Sequence, residues 1–490
     1  MKQQDFSGGS TSDINVSLAP SNTVALGLNV DFDIEIGSAV SRLGRATIGA
    51  QITAAMNILG LIQHIDIDTA SNNKLFATLN ASGGATSVIY DVIAASNAQT
   101  GLTASLKMRS LVFNGATLFI NGTDAERSYT SAGWITTGGA FDLANMPAGK
   151  LCIEFLDRVY VAGVTATLSR LLYSGVSSGT AISWTVGNGY VDIEPEDGGG
   201  PITALGKVPG YILIFKERSM HRWNFSSAFP ESMIQIGTPS QESVIIGGGL
   251  CAFYSNSNES AKGFYITNGS RPVCISQDNN RPIKKWVDAI ASGSEANIAG
   301  WATDRHFCWS VGDLTVDGDL YSNVVLKYNR RLNQWSIRTY PTEFKVFAQY
   351  LVSGVNTTVG GDDDGTIYRL DKAGLYTDAV KTATQNFPFK VRQHFQNYAD
   401  NHKKVLSDKV AVKGKNLNSV RCVAYVDEDN LNPISLDRDN QSIKSLAIFK
   451  VGKEIHGNTI AIEIAGESAG SPVIIREIDL PKIAIQNTYL

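Results

Sequence analysis

Apolar and polar positions alternate along this chain in short runs of strand length, separated by turn residues. The clearest case is Pro201–Phe225, PITALGKVPGYILIFKERSMHRWNF. Ile202–Leu205 is short and apolar, Gly206, Pro209 and Gly210 break the chain, and Tyr211–Phe215 is a continuous apolar run. Lys216–Ser219 turns the chain, and Met220–Phe225 leaves with Trp223 and Phe225 as its bulk. Three short antiparallel strands with polar corners make a β-meander, the unit of a propeller blade.

The same rhythm runs on both sides of that stretch. Strand pairs are predicted at Lys74–Leu79 with Ser87–Val92 and at Ser110–Phe113 with Thr117–Ile120, then a trio at Leu151–Phe155, Arg158–Val161 and Leu171–Tyr173. Beyond the central stretch come Leu250–Tyr254, Gly263–Thr267 and Val273–Ser276, then Ile298–Ala302, His306–Val311, Val324–Asn329 and Trp335–Thr339. Phe344–Leu351, Thr357–Gly360 and Thr366–Leu370 end the series. Asn114-Gly115, Asn121-Gly122, Asn188-Gly189, Asn268-Gly269 and Asp364-Gly365 sit at its corners, pairs suited to the positive φ of hairpin turns. Grouped in threes and fours, the strands give about seven units of roughly 40–50 residues, a propeller period, with six or eight as alternatives. Trp134, Trp184, Trp223 and Trp335 fall where an outer strand ends, and packing between blades accounts for them better than ligand stacking.

The flanks read differently. Residues 1–45 form an extended arm: Phe6-Ser-Gly-Gly opens it, Asn29–Ile36 (NVDFDIEI) alternates like a strand, and Arg42-Leu-Gly-Arg45 closes it with two positive charges. Such an arm cannot bury its own surface and is expected to lie across a neighbour. The rhythm changes near Asp378–Phe389, and Gln396–Lys409 is strongly polar. Val410–Val412, Val420–Val426, Ser445–Val451, Thr459–Ile464 and Val473–Leu480 then predict a small β-sandwich. The expected architecture is all-β: arm 1–45, β-propeller 46–378 and C-terminal β-sandwich 379–490.

Composition narrows the function. At 490 residues the chain is too long for one ordinary core, and 46 glycines with only 18% charged residues fit many tight turns. A net charge of −4 argues against a sequence-reading nucleic-acid protein, while a channel through which DNA slides gains nothing from tight phosphate contacts. The five cysteines, Cys152, Cys251, Cys274, Cys308 and Cys422, are scattered and read as buried free thiols. The N-terminus lacks a signal-peptide core. Ile48–Ile67 is interrupted by Gln51, Asn57, His64 and Asp66 and falls short of a membrane span, so a soluble product made in a cytoplasm is expected.

Candidate chemistry is thin. His64, His221, His306, His394, His402 and His456 form no zincin spacing, and no P-loop occurs. Gly361-Asp-Asp-Asp-Gly365 reads as a solvated hairpin corner, and Asp313, Asp317 and Asp319 alternate somewhat better as a calcium loop. Sialidase-like propellers carry Asp boxes, and Asn121–Trp134 is not one. No catalytic, cofactor-binding or metal-ligating residue is assigned, and no enzyme activity or cofactor is expected.

The arm Phe6-Ser-Gly-Gly9, the strand Asn29–Phe32, Gly44-Arg45, the phrase ITALGKVPGYILIFKERSMHRW and a following β-sandwich together resemble the β-propeller tail proteins of short-tailed bacteriophages. These are the tail nozzle, or tubular protein B class, and related packaged-DNA stabilisation proteins. The resemblance implies a structural virion protein: a ring, usually of six copies, below portal and adaptor, that retains and then releases double-stranded DNA and docks fibres or spikes. It also implies that the arm 1–45 and the sandwich 385–490 make subunit contacts, so that removing residues 1–40 leaves a folded monomer unable to form rings. Alternatives are a capsid-stabilising or receptor-binding virion component, or a glycan-binding propeller.

Overall fold

The computed structural model describes residues 2–12, 19–66, 69–194, 200–258, 262–277, 282–352, 355–395, 403–406, 409–427, 429–439, 445–451, 455–457, 459–468, 470–479 and 483–486. The protein is almost wholly β, and its central part is a β-propeller. Six four-stranded sheets stand separately. Blade 1 is built on Ile58–His64 and ends with Ser96–Thr103, blade 2 spans Arg109–Phe113 to Gly133–Ile135, and blade 3 spans Leu151–Phe155 to Gly189–Asp192. Blade 4 spans Ile202–Val208 to Glu231–Ile234 and blade 5 Ile245–Gly247 to Val273–Cys274.

A further four-stranded meander takes the next place: Ala299–Ala302, His306–Val316, Asp319–Asn329 and Gln334–Thr339. Its outer edge is joined to the arm, so it belongs to a larger sheet; it is blade 6 below. Blade 7 takes Phe344–Val352, Val355–Asp362 and Ile367–Arg369 from one end of the propeller and its outermost strand, Ala46–Thr47, from the other, with Thr47 opposite Tyr368. That pairing stitches the ring shut.

Burial explains why these runs fold as they do. The second strands of the blades have side chains buried on both faces, as in Ala116–Ile120, where all five residues are buried. An apolar cluster fills each gap between neighbouring blades, and the last sets Ile58 and Leu75 of blade 1 against Val346 and Val359 of blade 7. The tryptophans sit in these gaps. Trp134 packs on Phe76 across the first, Trp223 on Tyr160 and Tyr173 across the third, and Trp335 on Phe264 across the fifth. Trp184 lies in the loop between two strands of blade 3, its indole N–H donating to the Phe141 carbonyl at 3.0 Å. Asn114 and Gly115 both have positive φ and close the Arg109–Phe113 hairpin, as their side chains suggest.

The C-terminal part is a sandwich. One sheet sets Pro388–Arg392, Ile460–Glu467, Arg421–Val426 and Asp429–Arg438 side by side; the other sets Leu446–Lys450, Lys409–Lys415 and Ile474–Asp479. Asp429–Arg438 reaches into both sheets and turns the corner. Much of the polar window Gln396–Lys409 lies outside the described residues.

The arm corrects an expectation. It does not extend toward a neighbouring molecule to bury its surface; it is wedged into its own chain. Leu26–Leu28 runs between blade 6 and the sandwich, with Leu28 paired to Ile337 on one side and to Lys390 on the other. Ala39–Ser41 and Lys2–Gln3 both add to Ile474–Asp479. Along the strand, Val24, Val30 and Phe32 enter the sandwich core with Phe6 and Ala39, while Leu26 and Leu28 enter the core of blades 5 and 6. The arm does fail to bury its own surface, but the surface that covers it is intramolecular.

Candidate functional site

The densest polar chemistry lies where arm, propeller and sandwich meet. Asn29 takes a left-handed conformation (φ 53°), and the chain bends after Asp31. Asp31 is thereby held against blade 6, where its carboxylate accepts from Lys327 Nζ at 2.8 Å and from Arg338 Nη2 at 2.9 Å through both oxygens. Arg338 also donates to Asp371 at 2.7 Å. Burial alone would raise the Asp31 pKa, but Arg338 and Lys327 override it and hold the carboxyl far below its ordinary range.

The closing arginines of the arm complete the cluster. Gly44 lies so close to residue 377 that an added Cβ would stand 1.9 Å from the Thr377 carbonyl oxygen, so only glycine allows this approach. That approach brings Arg42 to Asp378, which it grips with both terminal nitrogens at 2.9 and 2.5 Å. Arg42 also donates to Asn29 Oδ1 and to the carbonyls of Leu43 and Thr339, so all five of its N–H groups are used. Its guanidinium is sandwiched by Phe387 and Tyr340. Arg45 stacks on Tyr368 and donates to the Ala379 carbonyl and to Thr342. Asp31, Asp33, Asp371 and Asp378 thus face Arg42, Arg45, Lys327 and Arg338, four charges of each sign in a largely dry junction. The arrangement is structural: most of its donors are committed to chain partners, and its ion pairs fasten the arm to the propeller, while strand pairing and a shared core fasten the arm to the sandwich.

His306 and His394 border this junction. His306 Nε2 lies 2.8 Å from Asp33, and His394 Nε2 3.1 Å from Thr23 Oγ1. Burial pushes the His394 pKa down to about 4, and burial with the nearby Lys327 lowers that of His306 despite Asp33. Both histidines are therefore neutral in the folded chain at neutral pH. As pH falls below about 6.5 the unfolded chain takes up these protons first. We expect stability, read as the urea midpoint, to be flat above pH 7 and to fall toward pH 4, by up to about 1.4 kcal/mol per pH unit for each histidine. His394→Gln should flatten part of that slope; an unchanged slope would contradict the assignment.

The propeller axis is the second feature. Its cavity, about 250 Å³, is lined by residues on or beside the inner strands, including Leu61, Met108, Cys152, Gly300 and Phe347. Arg109 of blade 2 reaches Glu242, between blades 4 and 5, with Nε at 3.1 Å and Nη2 at 2.7 Å. Lys107 stands 3.2 Å from the same carboxylate. An axis bridged in this way does not pass a macromolecule.

The residues weighed from sequence are scattered. Asp317 closes a hairpin and pairs with Lys285 at 3.1 Å, while Asp313 accepts from the Asn323 amide. Asp362 accepts from the amides of Asp364 and Thr366, capping its own turn, and Asp364 pairs with Lys381. Among the described residues no group of three or more His, Cys, Asp or Glu could hold a metal. His64 is buried against Thr117, and His402 lies outside the described residues. The cysteines are free thiols, and burial pushes Cys152 and Cys308 up to about 12. Sequence reasoning passed over Asp31, Lys327, Arg338, Asp378 and the Arg109–Glu242 pair. The available signal was a charge inside an apolar strand, as in VVLKYN and WSIRTY.

No helix among the described residues is long and apolar enough to cross a membrane. Comparison with protein-family profiles and with curated proteins gives no match. Solved structures similar to this chain include that of U3-55K, with TM-score 0.40 and 7% identity over 67% of this chain and 98% of that one. The AfRom2 CNH domain gives TM-score 0.40 and 9% identity over 67% and 99%. KlHsv2 with loop 6CD replaced by a Gly-Ser linker gives TM-score 0.29 and 9% identity over 54% and 80%. At these scores the likenesses carry no argument about what this chain does.

Proposed function

We propose that this chain is a non-enzymatic structural subunit of a bacteriophage tail, one copy of a nozzle or hub ring that forms part of the DNA exit channel and retains, then releases, the packaged genome. The observation that supports it is the junction. Buried ion pairs fasten the arm to the propeller, and strand pairing with a shared core fastens it to the sandwich, as a subunit that carries load between neighbours requires. Because the propeller axis is bridged by Arg109 and Glu242, DNA in such an assembly runs between copies and not through a propeller. Portal, adaptor and fibre proteins are its proposed neighbours, and the virion its location.

The test is negative-stain microscopy with light scattering on the purified chain, alone and with its adaptor. The expected result is a ring of several copies, usually six in the proteins it resembles, around an axial opening. Monomers that stay dispersed in both preparations would overturn the reading.

A further inference from the structure

The segment that joins blades 4 and 5 carries a carboxylate to the propeller axis. Its short turn, Gln241–Ser243, lines the axial cavity and presents Glu242 to it. The turn is pinned from several sides. The Gln241 amide accepts from the Leu205 backbone N–H at 2.7 Å and donates to the Leu205 carbonyl at 3.0 Å, taking the place of a strand neighbour beside blade 4. The Ser243 carbonyl accepts from the Trp309 indole at 3.0 Å, and Ser243 Oγ lies 2.7 Å from Thr238 Oγ1. Only 13% of the Glu242 side chain is exposed, so the carboxylate is both fixed and largely desolvated. An apolar residue there would serve the fold as well or better, because a buried ion pair adds little net stability.

Two cations meet this one anion. Lys107 and Arg109 come from the start of blade 2, and Met108 between them turns into the apolar gap between blades 1 and 2. Arg109 spends three of its five N–H groups, two on Glu242 and one on the Lys150 carbonyl. The other charges on the first strands of the blades are Glu154, Lys207 and Lys345, and each is matched. Lys207 pairs with Glu154 at 2.7 Å and Lys345 with Glu343 at 2.5 Å. Cys152, which also lines the cavity, has its thiol pushed up to about 12 by burial and adds no negative charge. The Lys107, Arg109 and Glu242 group is thus left with one positive charge in excess.

The cavity suits a small polar guest. Its volume of about 250 Å³ lies below the roughly 300 Å³ at which pockets for drug-sized ligands begin. In blades 1, 2, 3 and 7 the first strand is paired on one side only, so backbone donors and acceptors stand beside the charged side chains. A metal cation is disfavoured by two positive groups around a single carboxylate, whereas an anion finds donors that are already charged. We infer that the axial cavity binds one small oxyanion, a carboxylate or phosphate group, on Lys107 and Arg109, with Glu242 as the fixed counter-charge that orients Arg109. This goes beyond the tail reading and does not depend on it.

The test is isothermal titration calorimetry on the full chain, dialysed into dilute chloride buffer, with inorganic phosphate and then with acetate. One site per chain is expected for at least one of them, and the tighter of the two identifies the group. Lys107→Gln alters a side chain that is 35% exposed, and circular dichroism should show it folded. It should bind roughly tenfold more weakly, the worth of a charge-assisted hydrogen bond. Glu242→Gln should bind roughly tenfold more tightly, because it removes the competing negative charge and frees Arg109. A bridge with a purely structural role would not move affinity in opposite directions. No heat with either anion would overturn the site, and so would equal affinity in Lys107→Gln and the unaltered chain, the sign of an adventitious ion only. Lys107→Gln decides by itself if Glu242→Gln does not fold.

Discussion

Replacing Asp31 by alanine should cost about 3–5 kcal/mol, the range for breaking a buried ion pair from one side. The carboxylate lies between Lys327 and Arg338, all three nearly inaccessible to water, and its removal strands two cations. Asp371 still accepts from Arg338, but Lys327 keeps only the through-space attraction of Asp371 and Asp33, so its desolvation is poorly offset. The urea midpoint of Asp31→Ala measures the loss; a change under about 1 kcal/mol, as for a surface pair, would contradict the description of the junction. The pH dependence follows from the depressed pKa. The contribution of Asp31 is complete above the carboxyl value of the unfolded chain, about 3.9, and is lost only as pH falls through the much lower folded value. The difference between native chain and variant should therefore hold through mild acid.

Removing residues 1–45 should abolish folding. The deletion takes Phe6, Val24, Val30, Phe32 and Ala39 from the sandwich core and Leu26 and Leu28 from the propeller core. Loss of one such large side chain typically costs about 2–5 kcal/mol, and several together exceed the 5–15 kcal/mol that holds an ordinary domain. It also leaves Asp378 and Arg338 without Arg42 and Asp31. Soluble yield and circular dichroism of the truncated chain give the readout. A soluble, cooperatively folded product would restore the picture of a detachable arm.

That picture came from the sequence, and its failure has a physical cause. Blades are local: the run Tyr211–Lys216 pairs with strands only a few residues away, so apolar runs and turn residues suffice to find it. Outer strands such as Ser96–Thr103 are mostly exposed and polar, and nothing in their pattern marks them. The arm pairs across more than 300 residues, Leu28 with Ile337 and Lys390, through strands of two or three residues. No periodicity survives in so short a strand. Ile58–His64 was hidden for another reason: it lies inside the apolar window weighed as a membrane span and is the inner strand of blade 1. The ion cluster was half visible. Arg42 and Arg45 stood out as the end of the arm, whereas Asp31 was one acid in an alternating run, and only the fold brings it to Lys327 and Arg338.

The central claim is that the arm makes propeller and sandwich a single cooperative body. All seven tryptophans lie between Trp134 and Trp335, within the propeller, and the sandwich has none. Urea unfolding followed at once by tryptophan fluorescence, which reports the propeller, and by far-ultraviolet circular dichroism, which reports every strand, therefore tests the claim directly. Coincident transitions are the predicted result. A fluorescence transition separated from a second, dichroism-only transition would mean that the sandwich unfolds by itself and that the junction does not bind the two together.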